Sequence, residues 1–275
     1  MFHQLEELSV AQQKQLLLLR ENLKSFKSVC VAYSGGVDSS LVAAIAYEQL
    51  GTNALAITGI SSSIANHLQN EARHQAKWIG IRHAECFTNE LQDPSYNQNP
   101  KNRCFACKQE LHLQLKKIVQ SAQNCQVVDG VNHDDLSDHR PGIAAAHQAG
   151  VRSPLAELGI NKSTIREISR ALGFPWWNKP AQPCLASRFP YGESINSKKL
   201  KKVEKAEDIL RAYGFEEIRV RTKDSAAKIE LPSHQIEQFV LNKDRKTIVD
   251  QFLSLGFTSV SIDLEGLVSG KMNRN

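Results

Sequence analysis

The chain contains 275 residues, of which 41% are hydrophobic and 23% charged, which is typical of a globular protein with one large or two modest domains. A net charge of only +5 excludes the basic excess of a dedicated nucleic-acid binder, so nucleic acid is not expected as a partner. No apolar run is long enough to span a membrane, so a membrane is not expected as a partner either.

The N-terminal segment, residues 1–20, predicts an amphipathic helix rather than a targeting signal. It carries Glu6, Glu7 and several glutamines, whereas transit signals are poor in acidic residues. The predicted location is therefore the cytoplasm. The chain also has six cysteines, which without an export signal indicate thiols, metal binding or catalysis rather than a disulfide framework.

Residues 29–40, VCVAYSGGVDSS, predict a strand, a glycine turn and the start of a helix. The first five are apolar and rich in β-branched residues, as expected for a buried strand of a parallel sheet. The glycines allow backbone amides to approach a ligand, and a helix N-terminus directs further N–H groups toward an anion. The alternative is a tight turn that binds nothing. The candidate phosphate ligands are Ser34, Gly35, Gly36, Asp38, Ser39 and Ser40.

The following segments alternate between strands and helices. Helices are predicted at residues 41–50, 63–80, 105–119 and 160–173, and further strands at 54–58, 81–87 and 126–130. This pattern predicts an α/β fold with an open parallel sheet and helices on both faces. Asp129 stands at the end of the fourth strand, and the carboxyl ends of parallel strands share one edge. We therefore expect Asp129 beside Ser34.

The alternation stops at residues 176–192, which contain three prolines and predict an irregular connector. Beyond it, the pattern predicts a smaller α+β domain: helix 196–213, strands 218–221 and 228–231, helices within 235–255 and strand 258–264. The predicted domains are thus 1–175 and 193–275, with 176–192 between them. Lysines at 198–205 interleave with Glu204, Glu207 and Asp208, which predicts a solvated helix face.

Cysteines provide the next candidates for chemistry. Cys184 lies in the connector near Lys179 and Arg188, whose charges would favour a reactive thiolate; the alternative is a buried structural thiol. Cys104 and Cys107 form a CxxC pair, which supplies only two metal ligands, so Cys184 is the natural third. A zinc site that adds His112 is an alternative, although that histidine would face solvent on a helix.

The pattern SGGxDS lacks both the dinucleotide-binding and the Walker A signatures. It resembles the pyrophosphate loop of the PP-loop superfamily, the N-type ATP pyrophosphatases. This resemblance implies that ATP is cleaved to AMP and pyrophosphate while a substrate is adenylated. Asp129, Asp135 and Asp138 would then hold Mg²⁺ or position the adenylated group, with their individual roles left open.

The connector motif NKPAxxCLxSRFPYG resembles one PP-loop family more specifically, the sulfur transferase LarE of nickel-pincer nucleotide cofactor biosynthesis. Further matching segments are Asp129-Gly130, residues 140–142, 151–154 and 269–273. The resemblance implies adenylation of a pyridinium carboxylate mononucleotide and its conversion to a thiocarboxylate with sulfide or another sulfur donor. It also implies a homo-oligomer.

The same resemblance assigns roles to individual residues. Cys184 would carry the sulfur, and Arg188, Arg219 and Arg221 would hold the substrate phosphate. Members with three cysteines carry a [4Fe-4S] cluster, which implies Cys104, Cys107 and Cys184 as its ligands. Without the resemblance, Arg219 and Arg221 could simply be the solvent face of a strand.

Other functions share parts of this pattern. A PP-loop tRNA thiolase also combines an SGG loop with a CxxC pair and a distant cysteine, but it should show an RNA-binding domain or a basic stripe. An ammonia-dependent adenylating synthetase needs the loop but no connector cysteine. A non-catalytic adenine-nucleotide sensor would release no pyrophosphate.

Overall fold

A computed structural model describes residues 2–120, 125–137, 141–268 and 270–271. Asp138 and several motif residues, Arg140, Ser269, Met272 and Asn273, lie outside the described residues. In chain order, the helices and strands of the described residues are α1 (Val10–Lys24), β1 (Ser28–Ala32), α2 (Val37–Leu50), β2 (Ala54–Ile60), α3 (Asn66–Ile79), β3 (Arg82–Phe87), α4 (Pro94–Asn97), α5 (Arg103–Val119), β4 (Cys125–Val128), α6 (Pro141–Gln148), α7 (Pro154–Glu157), α8 (Lys162–Ala171), α9 (Ser197–Ala212), β5 (Arg219–Lys223), β6 (Ala226–Glu230), α10 (Ser233–Val240), α11 (Arg245–Ser254) and β7 (Ser259–Ile262). None of these helices is both long and apolar enough to cross a bilayer.

The chain divides into two compact units. The first contains residues 1–93 and 102–182, and the second contains 94–101 and 183–275. The segment predicted as a connector is therefore shared between the units. Residues 94–101 join the second unit through backbone hydrogen bonds, because the amides of Ile195 and Gly192 donate to Asn97 and Asn99.

The first unit is built on a parallel sheet with the strand order β3-β2-β1-β4. Alternate residues of β1 point to opposite faces: Val29 and Val31 pack in the core that includes α1, α2, α3 and α8, whereas Cys30 packs under α5. The predicted α/β architecture with helices on both faces is therefore confirmed. Asn161 caps α8 by accepting a hydrogen bond from the Thr164 amide.

The second unit contains a three-stranded sheet of order β5-β6-β7, with β5 and β6 antiparallel and β6 and β7 parallel. Leu200, Val203 and Leu210 of α9 are buried, as are Val220 and Ile229 of the sheet. The expected smaller α+β domain is thus confirmed.

Helix α6 was not among the predicted helices, and two predictions of solvent exposure are wrong. The alanine-rich segment 141–148 forms α6, because alanine favours helix and Pro141 stands at its start. Glu207 is fully buried rather than on a solvated face, because the helix turns it toward β5. His112 is likewise buried, 4% exposed, rather than facing solvent.

Candidate active site

The glycine loop joins β1 to α2 in the first unit. Gly35 has φ +70°, and a Cβ atom there would lie 3.0 Å from the Ala72 Cβ of α3, so both conformation and space require glycine. The hydroxyl of Ser39 accepts from the Ser34 amide at 3.2 Å and donates to the Gly36 carbonyl at 3.1 Å. These bonds hold the loop in place while the first turn of α2 keeps its N–H groups available for an anion.

Ser40 differs from the other candidates in this loop. Its side chain is fully buried and donates to the Gln75 side chain at 3.1 Å. The hydroxyl therefore fixes α2 to α3, and the Ser40 amide donates to the Gly36 carbonyl at 3.0 Å, so both of its donors already have protein partners.

Asp38 lies in the first turn of α2 and forms an ion pair that the sequence did not suggest. The Lys162 Nζ atom lies 2.7 Å from both of its carboxylate oxygens, and Asn132 donates to one of them at 3.5 Å. Burial raises the pKa of the Asp38 carboxyl, and Lys162 counteracts this rise. In the sequence, Lys162 is recognisable only as a residue near the start of a predicted helix. Its contact with Asp38 depends on the fold.

Asp129 follows β4 directly and is buried, 6% exposed. Its carboxylate accepts from the Ser153 hydroxyl at 2.8 Å and the Val131 amide at 3.1 Å. Burial raises its pKa, and these two hydrogen bonds oppose that rise. A Cβ on Gly130 would lie 2.6 Å from the Ser39 nitrogen, so the end of β4 lies against the loop, as the parallel topology predicts.

Asp135 is also buried, and its charge raises the pKa of both Asp38 and Asp129. The two buried carboxyl groups of Asp129 and Asp135, together with the half-buried Asp38, favour a cation at this edge of the sheet. No group of three or more His, Cys, Asp or Glu side chains within the described ranges is arranged to hold a metal ion. That finding is compatible with Mg²⁺, which usually binds one or two carboxylates together with substrate phosphates and water.

The CxxC pair lies in the first turn of α5. Cys104 and Cys107 are three residues apart and so share one face of the helix, with Cys104 exposed and Cys107 half-buried. A Cβ on Gly142 would lie 2.9 Å from the Lys108 Cγ and 3.4 Å from the Cys104 carbonyl oxygen, which shows that α6 packs closely on this turn. The pair offers two sulfur ligands on one helix face, and a metal would need others.

His112 does not extend this pair. Eight residues beyond Cys104 on one helix correspond to about 12 Å, which is too far for both side chains to bind one zinc ion. Neither ring nitrogen of His112 has a hydrogen-bond partner among the described residues, and burial lowers its pKa to about 4. The imidazole instead lines a cavity of about 230 Å³ together with Lys116, Cys125 and Gln126. The structure therefore does not support the zinc alternative.

Cys184 belongs to the second unit, where it precedes a 3₁₀ helix, Leu185–Arg188. Its thiol is half-buried and forms no disulfide. The two cations predicted to activate it each have a carboxylate partner: Arg188 pairs with Glu207, and Lys179 of the first unit pairs with Glu71. Their charges are thus largely compensated.

The three arginines of the predicted phosphate site come together in the second unit. Arg221 donates to Glu230 at 2.9 Å and to the Ser187 carbonyl at 2.6 Å, and its side chain is only 14% exposed, so β5 does not present it on a solvent face. Arg219 is half-buried, and its pKa is lowered by burial and by the charges of Arg188 and Arg221. A cluster of guanidinium groups suits an anion.

The chain matches the family model described as asparagine synthase over residues 19–95. It is 52% identical over 258 residues to an uncharacterized protein of Synechocystis sp., a match covering 92% of this chain and 96% of the relative. It is 35% identical over 252 residues to the pyridinium-3,5-bisthiocarboxylic acid mononucleotide synthase of Lactiplantibacillus plantarum, covering 91% of each chain. An uncharacterized protein of Methanocaldococcus jannaschii is 32% identical over 255 residues, which cover 92% of this chain and 96% of the relative.

Proposed function

Because the chain belongs to the LarE family of pyridinium-3,5-bisthiocarboxylic acid mononucleotide synthases, we propose that it is an ATP-dependent sulfurtransferase. Its substrate would be a pyridinium biscarboxylate mononucleotide, whose carboxylates become thiocarboxylates for nickel-pincer nucleotide cofactor synthesis. The observation that carries the proposal is the 35% identity over 91% of both chains, which includes both units. The cytoplasmic location and the homo-oligomer stay predictions.

The first unit would perform the adenylation. A substrate carboxylate oxygen attacks the α-phosphorus of ATP, the bond to the β-phosphate oxygen breaks, and pyrophosphate leaves. The backbone of residues 34–40 would bind the leaving phosphates at the N-terminus of α2. Mg²⁺, when bound to ATP, would neutralise phosphate charge, and Asp38 and Asp129, which lie at the loop and at the adjoining end of β4, would help to hold it.

The sulfur would be delivered as sulfide held beside Cys184, so that no carbon–sulfur bond of the protein has to break. Sulfur attacks the carbonyl carbon of the acyl adenylate, the bond between carbon and the AMP oxygen breaks, and AMP leaves with the electron pair. A carboxylate needs this activation because its own oxygen is a poor leaving group. The half-buried, undisulfided thiol of Cys184 is compatible with this role.

We also propose a [4Fe-4S] cluster on Cys104, Cys107 and Cys184. Supporting observations are the shared helix face of Cys104 and Cys107 and the thiol state of all three residues. With three thiolate ligands, such a cluster would leave one iron open to an extra sulfide.

The substrate phosphate would bind at the arginines of β5. Arg219 is the best candidate, because its guanidinium carries a charge that neighbouring arginines destabilise and that an anion would stabilise. Arg221 could assist with the donors that Glu230 and Ser187 do not use. The predicted phosphate contact from Arg188 is less well supported, since Glu207 already pairs with it.

The test is to incubate anaerobically purified protein with ATP, sulfide and the carboxylated nucleotide, and to measure pyrophosphate and thiocarboxylate. We expect both products to depend on the nucleotide, and Cys184→Ala to form no thiocarboxylate. Full turnover of Cys184→Ala with ammonia would instead identify a synthetase, and thiolation of tRNA would identify a tRNA thiolase.

The cluster has its own test, the iron and labile sulfide content of the purified protein. We expect both to fall in Cys104→Ala and to stay unchanged in Cys125→Ala, which alters a cysteine on β4 outside the proposed ligand set. A full complement of iron in Cys104→Ala would rule out the three-thiolate assignment.

A further inference from the structure

A buried carboxylate in the second unit is connected through Arg188 to the loop that carries Cys184. Glu207 is in the middle of α9, and its side chain is 1% exposed. Its Oε1 accepts from the Arg188 Nε at 2.8 Å and from the Val220 amide at 3.0 Å, and its Oε2 accepts from the Arg188 Nη2 at 3.1 Å. The bidentate pair fixes the plane and position of the Arg188 guanidinium.

The opposite edge of that guanidinium holds the backbone around the cysteine. The Arg188 Nη1 donates to the Pro183 carbonyl at 2.8 Å and lies 3.3 Å from the Cys184 carbonyl oxygen. It also donates to the Ser187 hydroxyl at 3.0 Å. Residues 183 and 184 lie outside helix and strand, so these bonds supply order that secondary structure does not.

Only a carboxylate of this length can complete the arrangement. Glutamine would place an NH₂ group against the N–H groups of Arg188 or of Val220, and aspartate would be one methylene too short to reach both. Because Arg188 is itself only 3% exposed, loss of the negative charge would leave a buried cation without its counter-ion. The loop would then lose the fixed position of its guanidinium support.

We propose that Glu207 is a positioning residue for sulfur transfer, which acts through Arg188 to hold Cys184 in its half-buried, productive position. Glu207 touches neither substrate nor sulfur in this role. The inference rests on the proposed function, because the position of Cys184 matters for catalysis only if this residue takes part in sulfur transfer. The effect of Glu207 on the reactivity of the Cys184 thiol can be measured independently of that function.

The experiment measures alkylation of individual cysteines by iodoacetamide, quantified by peptide mass spectrometry on the full chain. Cys125, on β4 of the first unit and outside the proposed ligand set, serves as the internal reference in the same sample. In Glu207→Gln we expect the rate at Cys184 relative to Cys125 to rise by about fivefold or more, as a loop released from its support opens more often. Arg188→Lys should give a similar rise, since lysine keeps a charge for Glu207 but cannot hold the carbonyls at the same time.

Arg211→Met is the matched control. Arg211 contacts the Glu207 Oε2 at 3.4 Å and the Asp208 carboxylate at 2.8 Å but has no hydrogen bond to the loop among the described residues, so this variant should leave the alkylation ratio unchanged. A ratio within about twofold of the wild type in both Glu207→Gln and Arg188→Lys would overturn the proposal, and the second variant decides if the first does not fold. A Cys184→Ala protein that still made thiocarboxylate would refute the proposed function without affecting this measurement.

Discussion

The Nζ atom of Lys162 lies 2.7 Å from both carboxylate oxygens of Asp38, so the start of α8 is joined to the start of α2 at the glycine loop. The two side chains are 31% and 20% exposed, and the pair is therefore partly screened by solvent. Its main effect is local: an unpaired Asp38 would place a negative charge where the phosphates of ATP must bind. Lys162 thus keeps this helix end suitable for an anion.

Replacement of Lys162 by methionine should slow adenylation. We expect a decrease of about 100-fold in substrate-dependent exchange between pyrophosphate and ATP, since Asp38 would be left unpaired at the helix end where the phosphates bind, and a smaller decrease for Lys162→Arg, which keeps a cation for Asp38. Arg20→Met is the control, because it breaks the ion pair with Glu48 at the other end of α2. Equal exchange rates in Lys162→Met and wild type would exclude this role.

Gly130 should not tolerate even a methyl group. The Cβ of alanine would lie 2.6 Å from the Ser39 nitrogen and 2.8 Å from its Cα, so the first turn of α2 must shift. We expect ATP affinity to fall by at least about tenfold in Gly130→Ala, measured by calorimetric titration. Gly59→Ala is the matched control, since its Cβ meets only the flexible end of Leu111, and it should bind ATP normally.

Asp129→Asn should stabilise the protein while it impairs adenylation. Burial raises the pKa of Asp129 in the folded state, so the ionised group lowers stability at any pH above that raised pKa, and this cost disappears below the ordinary pKa of about 3.9. Asparagine can still accept from Ser153 and Val131. We expect the Tm to rise by about 2–4 °C at pH 7.5 and not at pH 3.5. An unchanged or lower Tm at pH 7.5 would contradict this account.

His112 should make the protein sensitive to mild acid. Its pKa is lowered from 6.5 to about 4, so the unfolded state binds the proton more readily between these values. The free energy of unfolding should therefore fall with decreasing pH across this window, by at most about 1.4 kcal/mol per pH unit from this group. Urea titrations of His112→Phe should show a shallower dependence, whereas the exposed His147→Gln should behave like wild type. Identical slopes in His112→Phe and wild type would show that the histidine does not contribute.

The sequence predicted the relationships that follow from regular topology. Asp129 was expected beside Ser34 because adjacent parallel strands end at the same edge, and the structure confirms that the end of β4 lies against the loop. Lys162 could not be assigned to Asp38, because the two are 124 residues apart and neither has a local pattern that identifies the other. Such long-range pairs depend on how the helices pack.

Glu207 shows a different limit of sequence reasoning. Its lysine-rich surroundings predict a solvated face, yet the rotation of α9 turns this one acid inward toward Val220 and Arg188. Helical periodicity does place position 207 on the same face of α9 as the buried Leu200, Val203 and Leu210, but the many charged neighbours obscure that pattern. The assignment of Cys104, Cys107 and Cys184 as cluster ligands came from the resemblance, because the spacing of the cysteines alone gives only two ligands close in sequence.

Residues 94–101 belong to the second unit although they lie between two segments of the first, and this determines which fragments of the protein can fold alone. Asn99 is fully buried, and its side chain donates to the carbonyls of Phe189 and Pro190. A fragment that starts at residue 183 would leave these two acceptors unsatisfied, so the C-terminal part of the chain should not fold when expressed alone. A recombinant version would need the octapeptide 94–101 restored, either fused through a short linker or added as a synthetic peptide.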